Sequence, residues 1–247
     1  MSFLLLFIIA GYRIGIEPTT VELVLNETGK HYYGFLNIYN RGETGYYVKV
    51  SHFDFGIDQM AGSSSPVPLG STPYSMRGWL KLEPDFCYLA PMKAVKVKYI
   101  LSPPANAEGN YYAMALFSTV APDTERDRSG LDIGVNFLVT VGNKNFTKIA
   151  KIESFNFYKI KDDIEFAYKV SNIGETHIRV KTFLEIKNRE GKIVKRYEPS
   201  HHTFLPPQTN RIFKFTWHKP AKGEYVAFAF ITYENEYEIK ETKFAVK

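Results

Sequence analysis

The sequence predicts an all-β chain of two tandem antiparallel sandwiches. Three observations carry that prediction: strict apolar/polar alternation in segment after segment, an aromatic composition suited to half-buried strands, and an internal repeat. Of its 247 residues 45% are hydrophobic and 15% aromatic, with 19 Phe and 17 Tyr against 2 Trp. That is enough apolar material for real cores and excludes global disorder. No stretch shows the 3.6-residue periodicity of a three-turn helix, so the crossover helices of a parallel α/β fold are not expected.

In chain order, residues 3–10 form an unbroken apolar run. It is too short for a membrane span of about 20 residues and suits the apolar region of an export signal. Residues 1–13 are therefore expected to be an export segment. No Lys or Arg precedes the run, which a start codon placed too late would explain. No stable membrane span is expected later in the chain. Val21, Leu23 and Leu25 then alternate with polar neighbours, as do Val95, Val97, Tyr99 and Leu101, and the series Leu131, Ile133, Val135, Phe137, Val139 and Val141. The second half continues with Ile164, Phe166, Tyr168 and Val170, with Ile178, Val180, Leu184 and Ile186, and with Phe213, Phe215 and Trp217. Each run offers one apolar face, and Gly, Pro and Asn turns separate the runs, the pattern of a sandwich. Residues 56–77, rich in Gly, Ser and Pro and without periodicity, are expected to form a long mobile loop.

The repeat divides the chain. Asn40-Arg41-Gly42-Glu43-Thr44 followed by Val48-Lys49 recurs as Asn172-Ile173-Gly174-Glu175-Thr176 followed by Val180-Lys181. A second echo keeps the same order: Leu89-Ala90-Pro91 and Gly109-Asn110-Tyr111-Tyr112-Ala113 match Leu205-Pro206-Pro207 and Gly223-Glu224-Tyr225-Val226-Ala227. In each copy the Asn ends a strand, and the Gly is expected to supply a positive φ. Domains over 14–142 and 147–247 follow, joined by a linker at 143–146 short enough to predict an elbow.

Several of these residues carry a resemblance. Ile16-Glu17-Pro18 through Asn40-Arg41-Gly42, and Trp79-Leu80-Lys81-Leu82-Glu83-Pro84 through Leu89-Ala90-Pro91 to Val95-Lys96-Val97, resemble periplasmic pilus-assembly chaperones. In the second half Val170-Ser171-Asn172-Ile173-Gly174-Glu175-Thr176-His177, Gly191-Lys192-Ile193-Val194, Leu205-Pro206-Pro207, Arg211 and Gly223-Glu224-Tyr225 are similar to the second domain of cell-surface proteins encoded with WxL proteins. The resemblance implies immunoglobulin-like domains, a periplasmic or cell-surface location, no catalysis, and a protein partner such as a pilus or surface subunit. Chaperones of this kind anchor a subunit's terminal carboxylate with an Arg on the first strand and a Lys facing the interdomain cleft, and complete the subunit with an apolar edge strand. The Arg position here is Thr20, and Lys144 or Lys148 is the candidate second cation. The edge strand would be 131–141, with Asp132, Asn136 and Thr140 outward and Leu138 as the exception. Because the domain's own core claims its single apolar face, a looser chaperone-like or scaffold role is expected. The candidate partner-binding residues are Arg13, Thr20, Lys144, Lys148, Met60 and Tyr74.

The remaining chemistry is sparse. The net charge of +5 is spread along the chain, and no nucleic acid is expected as a partner. Cys87 is the only cysteine and is expected as a small buried hydrophobe. His201-His202 would point to opposite faces of a strand, His177 is expected as a solvated turn residue, and the acids at 123, 125 and 127 as a hairpin tip. No metal, cofactor or catalytic group is expected, and no common catalytic motif is present. Outward tyrosines at 32–33, 46–47, 74 and 111–112 leave a cell-wall glycan as the alternative partner.

Overall fold

The computed structural model describes residues 13–57, 64–120, 130–142, 144–198 and 202–247. The export segment up to residue 12, Met60, the acids at 123–127 and His201 lie outside the described residues. The chain divides into two compact units, residues 1–56 with 64–143 and residues 144–247 with 57–63.

The first unit holds β1 (Ile14–Glu17), β2 (Thr20–Leu25), β3 (Tyr32–Asn40), β4 (Tyr46–Ile57), β5 (Ser64–Val67), β6 (Leu80–Glu83), β7 (Phe86–Leu89), β8 (Ala94–Leu101), β9 (Gly109–Val120) and β10 (Asp132–Val141). One sheet runs β1-β3-β8-β6; the other runs β2-β10-β9-β4-β5, with β7 also on β4. Period-two alternation turns Leu36, Ile38, Val97 and Leu101 of the first sheet toward Val48, Phe117, Phe137 and Val139 of the second, all fully buried. Each is worth about 2 kcal/mol of burial. One pairing is not antiparallel: β2 lies parallel to β10, Thr20 beside Asn136 through Leu25 beside Val141.

The second unit holds β11 (Ala150–Ile160), β12 (Asp163–Asn172), β13 (Ile178–Asn188), β14 (Ile193–Tyr197), β15 (Thr203–Leu205), β16 (Asn210–Trp217), β17 (Gly223–Tyr233) and β18 (Glu236–Val246). The sheet β11-β12-β16 packs on β14-β13-β17-β18, with β15 also on β13. Its centre is Tyr168, whose ring stacks 5.7 Å from both Phe213 and Phe215. The Tyr168 hydroxyl donates to the Phe183 carbonyl at 3.3 Å, and burial pushes its ionisation far above the ordinary phenol range.

The repeat in the sequence is a repeated hydrogen-bonded corner. Asn40 Nδ2 donates to the carbonyls of Thr44 (2.7 Å) and Ala90 (3.2 Å), while its Oδ1 accepts from the Gly42 N–H at 2.8 Å. Asn172 Nδ2 donates to Thr176 (2.8 Å) and Leu205 (3.0 Å), and its Oδ1 accepts from Gly174 at 2.9 Å. The second echo therefore supplies carbonyls that the first one grips. Gly42 and Gly174 do not adopt positive φ. Those values fall on Met92 and Gln208, at φ 55° and 59°, each shortly after the gripped carbonyls. Gly174 is required for close approach instead, because a Cβ there would stand 2.5 Å from the Thr147 carbonyl. In each unit a tyrosine opens the strand that follows: Tyr111 donates to Glu108 O and Tyr225 to Ala221 O, the tyrosine corner of immunoglobulin-like sandwiches.

Two expectations need correction. The described part of the presumed loop, 64–77, is tied down. β5 extends the second sheet. Asp54, fully buried, accepts from the N–H groups of Gly70 (2.9 Å) and Thr72 (3.0 Å) and from Ser75 Oγ (2.5 Å). Met76 is then buried in the core. His177 is not solvated; it is 7% exposed, 5.2 Å from the Phe204 ring. Cys87 sits on β7 half-buried against the core, and burial pushes its thiol up.

Candidate partner-binding edge of the first domain

The first strand of the domain changes sheet, and this creates the site. β1 pairs with β3 in one sheet, and after Pro18 and Thr19 the chain crosses so that β2 pairs with β10 in the other. β2 thus covers β10 only from Asn136 onward, although β10 begins at Asp132. Among the described residues no strand pairs with β10 at 132–135 on that side, while β9 pairs with it along its whole length on the other.

Strand alternation identifies the groups left open. The Asn136 N–H points to the β2 side and donates to Thr19 O at 3.1 Å. Backbone groups of alternate residues share a side, so Asp132 and Gly134 present N–H and C=O to the open edge. On the core-facing side the series 131, 133, 135, 137, 139, 141 changes character along its length. Val135, Phe137, Val139 and Val141 are fully buried, whereas Leu131 and Ile133 are only partly buried against the core. The strand divides its apolar residues between its own core and a half-exposed end. Asp132, which opens the segment, is exposed, as are Glu17 of β1 and Glu22 of β2.

The described residues singled out from sequence have different settings, each within its own unit. Thr20 lies on this edge, opening β2 opposite Asn136, whose buried Oδ1 has no hydrogen-bond partner. Leu138, the outward exception, is 3% exposed. Arg13 lies before β1, at the end of the domain opposite Gly142. Its carbonyl accepts from the Arg41 N–H at 2.7 Å, and its side chain borders a small polar cavity of about 230 Å³ at the Asn40 corner. Lys144 pairs with Glu175 at 2.5 Å and Lys148 with Glu234 at 2.8 Å, both within the second unit. Tyr74 is packed edge-on against Tyr112 at 5.5 Å, and its carbonyl accepts from the Tyr112 N–H at 2.8 Å. Burial raises the ionisation of its phenol.

Of the aromatics considered as platforms, Tyr112 is 2% exposed and Tyr111 is packed on Trp79 at 4.1 Å. Tyr33 and Tyr47 do face outward. The edge strand expected over 131–141 is open only over 132–135, because β2 covers it from Asn136 onward. The apolar series ran two residues beyond what the core consumes, and nothing local says where a partner strand stops.

No protein-family model and no curated protein matches this chain. Solved structures do. One chain of the CsuC–CsuE chaperone–tip adhesion subunit pre-assembly complex, from the archaic chaperone–usher Csu pili of Acinetobacter baumannii, matches with a TM-score of 0.54 at 9% identity, over 92% of this chain and 97% of that one. The YadV chaperone matches with a TM-score of 0.52 at 9% identity, over 95% of this chain and all of that one. The fold is accordingly the two-domain, all-β, immunoglobulin-like fold of the pilus chaperones.

Proposed function

We propose that this protein is an exported, non-catalytic, chaperone-like binder of a β-rich surface or pilus subunit, and that it holds its client by strand addition at the open edge of β10. The observation that carries this reading is the unpaired segment 132–135 with Leu131 and Ile133 half-exposed beside it. An extended client segment would complete the ladder through Asp132 and Gly134, and alternate client residues would share the apolar surface with Leu131 and Ile133. The likeness to the Csu chaperone complex supports a protein client. Export suits the apolar run at 3–10 and the absence, among the described residues, of any helix long and apolar enough to cross a membrane.

At the position of the familiar first-strand Arg stands Thr20. Thr20, Asn136 and Leu138 occupy the overlap of β2 and β10, so client affinity rests on the strand ladder and apolar contacts. The test is a photo-crosslinking amino acid at position 133, and separately at 187 on the second domain, in cells producing the tagged protein. A β-rich surface subunit crosslinked from 133 and not from 187 is the expected outcome. Equal crosslinking from both positions, or none from 133, would refute strand capture.

A further inference from the structure

A cavity of about 720 Å³ opens on the first domain, lined by none of the residues of the β10 edge and within the size range of small-ligand sites. Its apolar lining includes Trp79, 8% exposed, and Ile100, with Tyr33, 69% exposed, at its rim. Its polar lining is Lys81, Lys98, His31, Ser102 and His52, the last pushed by burial toward its neutral form, and no carboxylate lines it among the described residues. Lys98 Nζ lies 5.2 Å from the Tyr33 ring centre, so charge and aromatic surface sit side by side. His31 Nδ1 is 2.7 Å from Ser102 Oγ, which fixes that imidazole at the rim. Nearby acids are accounted for. Glu83 pairs with Lys81, and Asp54 is consumed by Gly70, Thr72 and Ser75.

The arrangement selects among ligand classes. Glu83 holds Lys81 and stands across the ladder from Lys98, but lies outside the lining, so Lys98 is the charged group turned to a ligand and a cation is disfavoured there. The absence of an arginine fork argues against a phosphate dianion, which bidentate guanidinium recognises best. Buried Trp79 offers its surface to an apolar body and not to a stacked sugar ring. We propose that this cavity binds a small amphiphilic carboxylate, with its apolar body against Trp79, Ile100 and Tyr33 and its head group on Lys98.

The test is calorimetric titration of the full chain with sodium decanoate, and in parallel with decyltrimethylammonium, which has the same chain and the opposite charge, and with oligogalacturonate, which is anionic without an apolar chain. Saturable one-site binding of decanoate is expected, weakened about tenfold or more by Lys98→Gln, consistent with loss of a charge-assisted contact. Lys243→Gln, at a groove of the second domain, should leave it unchanged. Lys98 lies on the outer face of its sheet, so its variant is expected to fold, and the decanoate-free melting temperature checks this. No decanoate binding, equal binding of the cationic amphiphile, indifference to Lys98→Gln, or preference for oligogalacturonate would each overturn the proposal.

Discussion

Asn40 and Asn172 show how much one buried amide can organise. Each is almost fully enclosed and joins three backbone groups that belong to two separate segments. Replacing either by Ala would strand buried carbonyls and an N–H. Asn40→Ala and Asn172→Ala are each expected to cost about 2–3 kcal/mol in urea unfolding. The neighbouring glycines should differ. Gly174→Ala drives a Cβ against the rigid Thr147 carbonyl, whereas at Gly42 the nearest atom is Asn40 Oδ1 at 3.2 Å. Gly174→Ala should therefore be the more damaging by about 1–2 kcal/mol; equal effects would mean that the close approach is not what holds glycine there. At this scale the sequence was readable in part. The paired motifs announced the corner, but the reason for the glycine was misassigned, because close approach depends on a segment, 147–149, that no local pattern connects to residue 174.

At the scale of the element, β10 is one strand with two environments. A charge at Val135, fully buried, should cost about 3–5 kcal/mol. A charge at Ile133, half-buried beyond the last core layer, should cost about 1 kcal/mol yet abolish client capture. Thermal melts of Val135→Asp and Ile133→Asp, alongside client co-purification, separate the two roles. The alternation 131–141 was legible from sequence, but Leu138, read as outward, is 3% exposed. The extent of the open edge was not legible, because it depends on β1 leaving for the opposite sheet at Pro18 and Thr19, a tertiary choice that period-two patterning leaves free. The tethering of 64–77 was hidden for the same reason. A run of Gly, Ser and Pro reads as loop, and only the placement of Asp54 beneath it shows that its N–H groups are gripped.

Across the whole molecule, the acid limb of stability has a defined sign. The carboxyls of Glu153, Asp163 and Glu175 are held below their ordinary range, chiefly by hydrogen bonds from Lys169, His218 and Lys144 respectively. A depressed folded value means a contribution fully present above the unfolded value, near 4.5 for Glu175, and lost as pH falls through the lower folded value. Melting temperature should thus drop as pH falls below about 4.5, and Glu175→Gln should flatten part of that drop. Surface exposure keeps each contribution small. The two-domain architecture, the β-class and the chaperone likeness were all visible in the sequence, since turn chemistry and alternation are local. The partner chemistry was not, since Arg13, Thr20, Lys144 and Tyr74 fall in four different settings.

The central claim, that the open backbone groups of β10 hold the client, is tested most directly by Gly134→Pro. Proline removes the edge-facing N–H at 134 and leaves intact the bonds to β9 made by its neighbours, and the atoms nearest a Cβ at 134 belong to the flexible Met114 side chain. The measurement is the amount of the surface subunit crosslinked from position 133 that co-purifies with wild-type and Gly134→Pro protein at matched melting temperature. Loss of that subunit with the fold retained is the predicted result; undiminished co-purification would contradict strand addition at this edge.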